Sequence, residues 1–130
     1  QDESYLSLSR RKNERLGSPQ QPPELISLLR EFLGAKNVGV TGVEFGGEPV
    51  ASVLWTVIDG YGLLIDGASD SEHWDKNPNN LAVWTATQEV LSRGADVIDF
   101  GFSPVGSGDG LFKKHMGGSC VPLFQVGEGL

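Results

Sequence analysis

The sequence is poor in cysteine, in basic residues and in long apolar runs. A single cysteine, Cys120, among 130 residues excludes an internal disulfide and is typical of a cytoplasmic protein. No apolar run approaches the roughly 20 residues that cross a bilayer, so no membrane span is expected. Ten Lys and Arg against 17 Asp and Glu leave a net charge of −7, which disfavours broad electrostatic binding of nucleic acid. The chain begins with Gln1 rather than Met, which suggests processing or a longer parent protein.

Side chains that hold metals or act as nucleophiles are also scarce. His73, His115 and Cys120 show no metal-ligand spacing, so no metal site is predicted. Ser103 lies in Gly-Phe-Ser-Pro-Val, which lacks the Gly-x-Ser-x-Gly pattern of a hydrolase nucleophile. Cys120 is interpreted as a small core residue on a final strand.

Two helices joined by a Pro-rich linker are predicted at the start. Residues 3–16 are good helix formers that end at Gly17, and the linker covers 18–23. From Glu24 an amphipathic helix is predicted up to Gly34, since its apolar residues recur at i, i+3, i+4 and i+7. The one basic cluster lies in the first helix, where a solvated face is favoured over a phosphate or RNA contact. Its members are Arg10, Arg11, Lys12 and Arg15.

A meander of three strands follows at residues 37–45, 49–58 and 61–66, all rich in β-branched and aromatic residues. The Asp59-Gly60 pair predicts a two-residue hairpin turn, which requires positive φ at both positions. Gly46-Gly47-Glu48 closes the first hairpin in the same way.

The second half alternates helices and strands. A polar loop is predicted at 67–77, with Asn77 as the N-cap of a helix that runs from Pro78 to Arg93. Its apolar residues spread over more than one stripe, so this helix should be largely covered. The later elements are a strand at 96–101, a Gly/Ser loop at 103–110, a helix at 111–116 and a strand at 119–126. This order predicts a single α+β domain, with a helix pair at 1–34 and a sheet core with two helices at 35–130.

The segment 99–118 carries the candidate catalytic residues. Asp99 closes a short apolar strand, where a carboxylate either accepts hydrogen bonds and braces the loop or serves as a base. Lys113 can stabilise an oxyanion, although a solvated lysine is the alternative. Phe112 is either core or a pocket wall. His115 and Asp109 are candidate proton acceptors or ordinary surface groups.

Candidate substrate contacts lie in the two polar loops. The Gly/Ser loop can present backbone N–H groups to an anion, although its spacing fits neither Gly-x-Gly-x-x-Gly nor the P-loop and a flexible connector is favoured. Its candidates are Gly106, Ser107, Gly108 and Asp109. Trp74, in the earlier loop, is either a cover residue or a ring on which a ligand stacks.

Several motifs together carry a family resemblance that covers about residues 5–126. Those near the C-terminus are Asp99-Phe100-Gly101, Gly106-Ser107-Gly108, Phe112-Lys113 and Gly117-Gly118. Those nearer the N-terminus are Leu16-Gly17-x-Pro19 and Gly47-Glu48-Pro49-Val50-Ala51. The set resembles the C-terminal module of the FemABX-like branch of the GNAT superfamily, which comprises peptidoglycan bridge aminoacyltransferases and related acetyltransferase-like proteins.

This resemblance implies a GNAT fold, a mixed and mostly antiparallel sheet with helices on both faces. It also implies transfer of an acyl or aminoacyl group to a primary amine, with Phe112 and Lys113 at the acyl-transfer site. The implied acceptor is a peptidoglycan precursor or another small amine, and no further cofactor is required.

The donor is left open between aminoacyl-tRNA and acetyl-CoA. The loop after Ile65 lacks the Arg/Gln-x-x-Gly-x-Gly/Ala pattern that holds the coenzyme A pyrophosphate in ordinary GNAT enzymes, which weakens the case for acetyl-CoA, while the net charge disfavours tRNA. Because family members normally carry two modules, a homodimer or a missing first module can complete the site. A non-catalytic binding or scaffold module is the remaining alternative.

Overall fold

The computed structural model describes residues 1–101, 108–115, 117–119 and 121. It consists of two compact units, Gln1–Asp99 and Phe100–Leu130. In the first unit, α1 spans Asp2–Leu16, α2 spans Leu25–Leu33 and α3 spans Pro78–Ser92. The strands are β1 (Val38–Phe45), β2 (Glu48–Ile58), β3 (Tyr61–Ser69) and β4 (Val97–Asp99), and short 3₁₀ helices occupy Ala35–Asn37 and Ser71–Lys76. In the second unit, α4 spans Gly108–His115.

The first unit is built on a four-stranded sheet in the order β1-β2-β3-β4. β1 to β3 form the predicted antiparallel meander, and β4 joins β3 in parallel. The turn between β2 and β3 has φ of 49° at Asp59 and 78° at Gly60, which confirms the predicted two-residue hairpin.

Helices cover both faces of this sheet. On one face Tyr5 of α1 and Ile26 of α2 pack with Val38 and Leu54 in a buried cluster. On the other face α3 buries one stripe at i+4 spacing, consisting of Pro78, Ala82, Ala86 and Val90. Removal of this apolar surface from water is the main stabilisation of the layered arrangement.

The sequence predicted that α3 is largely covered. Within the unit Gln1–Asp99 this prediction was wrong. Leu81, Trp84 and Leu91 are 52%, 55% and 45% exposed. They lie on the side of the helix opposite the buried stripe, because a helix that packs on a sheet contacts it through one stripe only.

The segment 67–77 was wrongly predicted to be a loop. Its first residues extend β3 to Ser69, because the first half of β2 needs an antiparallel partner and Ala51 pairs with Ser69. Asp70 then caps the 3₁₀ helix, accepting a hydrogen bond from the Glu72 N–H at 3.0 Å. Asn77 does precede α3, but it takes a left-handed conformation and its side chain makes no capping hydrogen bond.

The elements after α3 also begin or end at other residues than the sequence predicts. β4 is shorter than the predicted 96–101, and α4 begins three residues before the predicted 111, so that Gly108 and Asp109 belong to a helix rather than to a connector. Gly106, Ser107, Cys120 and most of the predicted strand 119–126 lie outside the described residues.

Candidate active site at the opening between two strands

The sheet opens between β3 and β4. Their parallel pairing covers only Tyr61–Leu63 against Val97–Asp99, while β3 continues through residues 64–69. Within Gln1–Asp99 no strand pairs with this edge of the continuation. Backbone N–H and C=O groups along an unpaired edge are available to a ligand that lies beside it.

A β-bulge marks the start of the unpaired stretch. Leu54 pairs with Asp66 and Trp55 pairs with Leu64, so Ile65 is the extra residue of β3. Bulges bend a strand and redirect its backbone groups, and they are common beside active sites. The opening and the bulge therefore define a cleft edge on which a carbonyl group can be held.

Asp99 is the last residue of β4, at the point where the two strands diverge. The Tyr61 hydroxyl donates a hydrogen bond to Asp99 Oδ2. This hydrogen bond, followed by desolvation and the nearby negative charge, raises the pKa of Tyr61. The half-buried Asp99 thus has a bracing partner that the sequence analysis missed. No sequence signal could have found this pair, since it depends on the parallel register that places Tyr61 and Asp99 on one face.

A polar network ties α1 to β3 next to the bulge. The buried Tyr5 hydroxyl is 2.7 Å from Asp66 Oδ2 and 2.6 Å from Gln21 Oε1. Lys12 Nζ donates to Asp66 Oδ1 at 2.6 Å and to the Gly67 carbonyl at 2.9 Å. Burial, then the negative charge of Asp66, raises the pKa of Tyr5 far above its usual value, so Tyr5 stays a neutral donor.

The basic residues of α1 do not form one solvated face as predicted. Lys12 is held by Asp66, and Arg11 lies 3.7 Å from Asp70. The Arg15 guanidinium stacks over the Trp74 ring with its carbon 4.9 Å from the ring centroid. Three of the four cations therefore have separate partners, and Arg10 makes none of these contacts.

Trp74 is 51% exposed, as its predicted polar surroundings suggest. Its N–H donates to Ser69 Oγ at 2.9 Å. Beside it, Lys76 Nζ lies 4.6 Å from the centroid of the Phe45 ring, which is 5.6 Å from the His73 ring. We call this group the cation–aromatic cluster. Its members are Arg15, Phe45, His73, Trp74 and Lys76.

The second unit carries the remaining described candidates on α4. Phe112 and Lys113 are half-buried, and His115 is exposed. The Lys113 carbonyl accepts a hydrogen bond from the Gly118 N–H at 3.0 Å. A Cβ on Gly118 would lie 2.9 Å from that carbonyl oxygen and 3.2 Å from the Phe100 ring, so the motif needs glycine to end α4. The catalytic roles of Phe112, Lys113 and His115 stay predictions.

Neither a metal site nor a membrane-spanning helix is present among the described residues. In that part of the chain no three His, Cys, Asp or Glu side chains gather as a metal site. No helix there is long and apolar enough to pass through a membrane.

A family comparison identifies the class of protein. The model of the acetyltransferase (GNAT) domain matches residues 4–114, so the chain belongs to that family. This confirms the predicted GNAT fold and its α+β class. Membership of the FemABX-like branch stays a prediction. None of the curated proteins matches the chain in sequence.

Solved structures share the fold at low sequence identity. Aminoglycoside N-acetyltransferase AAC(6')-Iy in complex with CoA superposes with a TM-score of 0.72 at 12% identity, covering 98% of this chain and 88% of that one. Ribosomal-protein-alanine N-acetyltransferase from Brucella melitensis biovar Abortus 2308 gives 0.67 at 10%, covering 97% and 92%. An aminoglycoside acetyltransferase from an uncultured soil metagenomic sample, in complex with sisomicin, gives 0.69 at 14%, covering 95% and 86%.

Proposed function

We propose that this protein is a coenzyme A-dependent N-acyltransferase that moves an acetyl group from acetyl-CoA to a primary amine. The observation that carries the proposal is the divergence of β3 from β4 at a bulge, in a chain that belongs to the GNAT acetyltransferase domain family. Structures of similar fold include one that holds CoA and one that holds an aminoglycoside. This supports acetyl-CoA among the two donors that the sequence left open.

The chemistry is a balanced acyl transfer. The neutral amine nitrogen attacks the thioester carbonyl carbon, the C–N bond forms, the C–S bond breaks, and the sulfur leaves and is protonated. Backbone N–H groups on the unpaired edge of β3 would donate to the oxyanion. Asp99 would accept the proton that the amine loses, while Tyr61 positions its carboxylate.

The direct test measures release of the coenzyme A thiol from acetyl-CoA in the presence of small amines and of peptides with a free amino terminus. Acetyl-CoA should raise the melting temperature, because a ligand that binds only the native state adds RT ln(1 + [L]/Kd) to its stability. The absence of both turnover and a thermal shift at millimolar acetyl-CoA would contradict the proposal.

Matched variants test the assigned residues. Asp99→Asn should lower kcat by about 100-fold if Asp99 takes the proton. Asp59→Asn changes an exposed carboxylate in a hairpin turn and should leave kcat unchanged. Tyr61→Phe should change the pH dependence of kcat because it removes the Tyr61 hydrogen bond to Asp99. Wild-type kcat in Asp99→Asn would leave this residue only the bracing role.

Aminoacyl transfer in the manner of the FemABX-like branch is the second candidate. The Phe112-Lys113 pair on α4 favours it, since the resemblance places this lysine at the reacting carbonyl. Lys113→Ala should then abolish turnover with an aminoacyl-tRNA donor. A folded protein inactive with both donors would instead indicate a binding or scaffold module.

A further inference from the structure

One lysine of α1 holds the part of β3 that lies directly after the bulge. Lys12 Nζ donates hydrogen bonds to Asp66 Oδ1 at 2.6 Å and to the Gly67 carbonyl at 2.9 Å. Asp66 and Gly67 are the first two residues after the bulged Ile65. The ammonium therefore fixes both a side chain and a backbone carbonyl on the stretch of β3 that no longer pairs with β4.

Tyr5 completes the hold on Asp66 from the same helix. Its hydroxyl lies 2.7 Å from Asp66 Oδ2, so each carboxylate oxygen has its own partner on α1. Residues 5 and 12 are seven apart, or about two helical turns, which places both side chains on one face of α1. The Tyr5 ring is fully buried, so the direction of its hydroxyl is fixed by the core. We call Tyr5, Lys12 and Asp66 the Asp66 clamp.

The bulged residue itself is anchored by apolar packing. Ile65 packs against the buried cluster that contains Tyr5, Ile26 and Leu54. The chain is thus held by packing at the bulge and by hydrogen bonds immediately after it, and α1 takes part in both. Because a bulge leaves one residue outside the ladder, the direction of the strand at that point depends on such neighbours.

The ion pair of the Asp66 clamp is better suited to orientation than to stability. The Lys12 and Asp66 side chains are 19% and 21% exposed. At this depth the cost of removing two charges from water offsets much of their attraction, so replacement by apolar side chains often changes stability little. An apolar side chain at position 12 cannot, however, supply directed hydrogen bonds to residues 66 and 67.

We infer that Lys12 and Tyr5 are positioning residues for acyl transfer: by holding Asp66 and the Gly67 carbonyl, they keep the unpaired edge of β3 in the conformation that presents backbone N–H groups to the oxyanion. The role rests on the proposed function, in which those N–H groups stabilise the developing charge. Both residues act through β3 rather than on the reacting atoms. A displacement of about 1 Å in such donors is enough to cost about 100-fold in rate.

The test compares the steady-state kinetics of the wild type and Lys12→Met, with acetyl-CoA and the amine that the wild type acetylates fastest in the thiol-release assay. Lys12→Met keeps an apolar side chain at this position and removes both hydrogen bonds. The kcat should fall by about tenfold or more while the KM for the amine stays within about twofold, because the lost interaction serves the transition state. Circular dichroism and the melting temperature confirm that the variant is folded.

Arg10→Met is the matched control. It makes the same change from a cation to methionine in the same helix, on an exposed side chain two residues before Lys12. Its kcat and KM values should equal those of the wild type. Wild-type kcat in folded Lys12→Met, or an equal loss in Arg10→Met, overturns the positioning role.

Tyr5→Phe keeps the test decisive if Lys12→Met does not fold. The ring stays in the core, and Asp66 Oδ2 loses the hydroxyl that lies beside it. The kcat should fall in the same direction, and in the double variant the two losses should be less than additive, because both act through Asp66. Wild-type kcat in Tyr5→Phe overturns the role of the Asp66 clamp.

Hydrogen exchange separates failure of this role from failure of the proposed function. The backbone amides of residues 64–69 should exchange faster in Lys12→Met than in the wild type, while those of the β1-β2 hairpin keep their rates. Unchanged exchange in a protein that transfers acetyl groups overturns the positioning role and leaves the proposed function standing. Faster exchange in a protein whose wild type transfers none rejects the proposed function, and with it the role in acyl transfer, although the Asp66 clamp still holds β3.

Discussion

Trp55 shows how one residue is accommodated in the buried centre of the sheet. Its N–H donates to Thr41 Oγ1 at 2.9 Å, and the Arg93 guanidinium carbon lies 4.9 Å from its ring centroid. Gly39 on β1 pairs with Trp55 across the sheet. A Cβ at position 39 would lie 2.2 Å from Trp55 Cζ2, so only glycine leaves room for the indole.

We expect Gly39→Ala to lower the free energy of unfolding by about 1–3 kcal/mol, the usual cost of overpacking a core. Urea denaturation measures the change. Gly67→Ala is the control, since its Cβ would meet atoms no closer than 3.7 Å. In a double-mutant cycle, Trp55→Phe should offset part of the Gly39→Ala loss; strict additivity would show that the two sites do not interact.

At the scale of elements, the 3₁₀ helix Ser71–Lys76 depends on the acidic residue that precedes and caps it, Asp70. The backbone N–H of Glu72 holds the pKa of Asp70 below its ordinary value of 3.8, against the opposing effect of burial. The Arg11 and His73 side chains lower this pKa further. Asp70 thus joins this helix to α1 through one carboxylate.

The sign of the pH effect follows from this depressed pKa. The stabilisation by ionised Asp70 is present above the unfolded-state pKa and is lost as the pH falls through the folded-state pKa. Between about pH 5 and pH 3, wild-type protein should therefore lose more unfolding free energy than Asp70→Asn, which keeps an acceptor for the cap. Denaturant titrations at several pH values measure the slopes. Asp75→Asn, with a side chain 74% exposed, should follow the wild type.

At the scale of the whole molecule, net charge bears on the choice of acyl donor. The chain is acidic, and Arg11 and Lys12 of its basic cluster are paired with carboxylates. Nucleic-acid affinity comes mainly from neutralisation of phosphates by free cations. This argues against a broad tRNA-binding surface on the described part of the chain.

We therefore expect tRNA binding at physiological salt to be weak, in filter-binding or gel-shift measurements over a range of salt concentrations. Tight binding that falls steeply with salt and is weakened by Arg10→Gln would contradict this expectation. That outcome would favour the aminoacyl-tRNA hypothesis. Lys36→Gln is the control, because it removes an exposed lysine that lies outside the basic cluster of α1.

Much of the architecture could be predicted from local patterns. The hydrophobic period located α1 and α2, and the Asp59-Gly60 pair located the β2-β3 turn, because periodicity and turn geometry act over a few residues. The end of β3 could not be found this way. Residues 67–69 look polar and turn-like, yet they pair with β2 because the facing strand extends that far.

The sequence by itself determined the order of the α-helices and strands from α1 to α4, the meander, the acidic character and the motifs by which the chain resembles the GNAT superfamily, since each depends on composition or on neighbouring residues. Only the tertiary structure decided that β3 separates from β4 at a bulge, that Tyr61 meets Asp99, and that Arg15 stacks on Trp74. These contacts join residues far apart in the chain. They depend on strand register and helix packing, which no local pattern encodes.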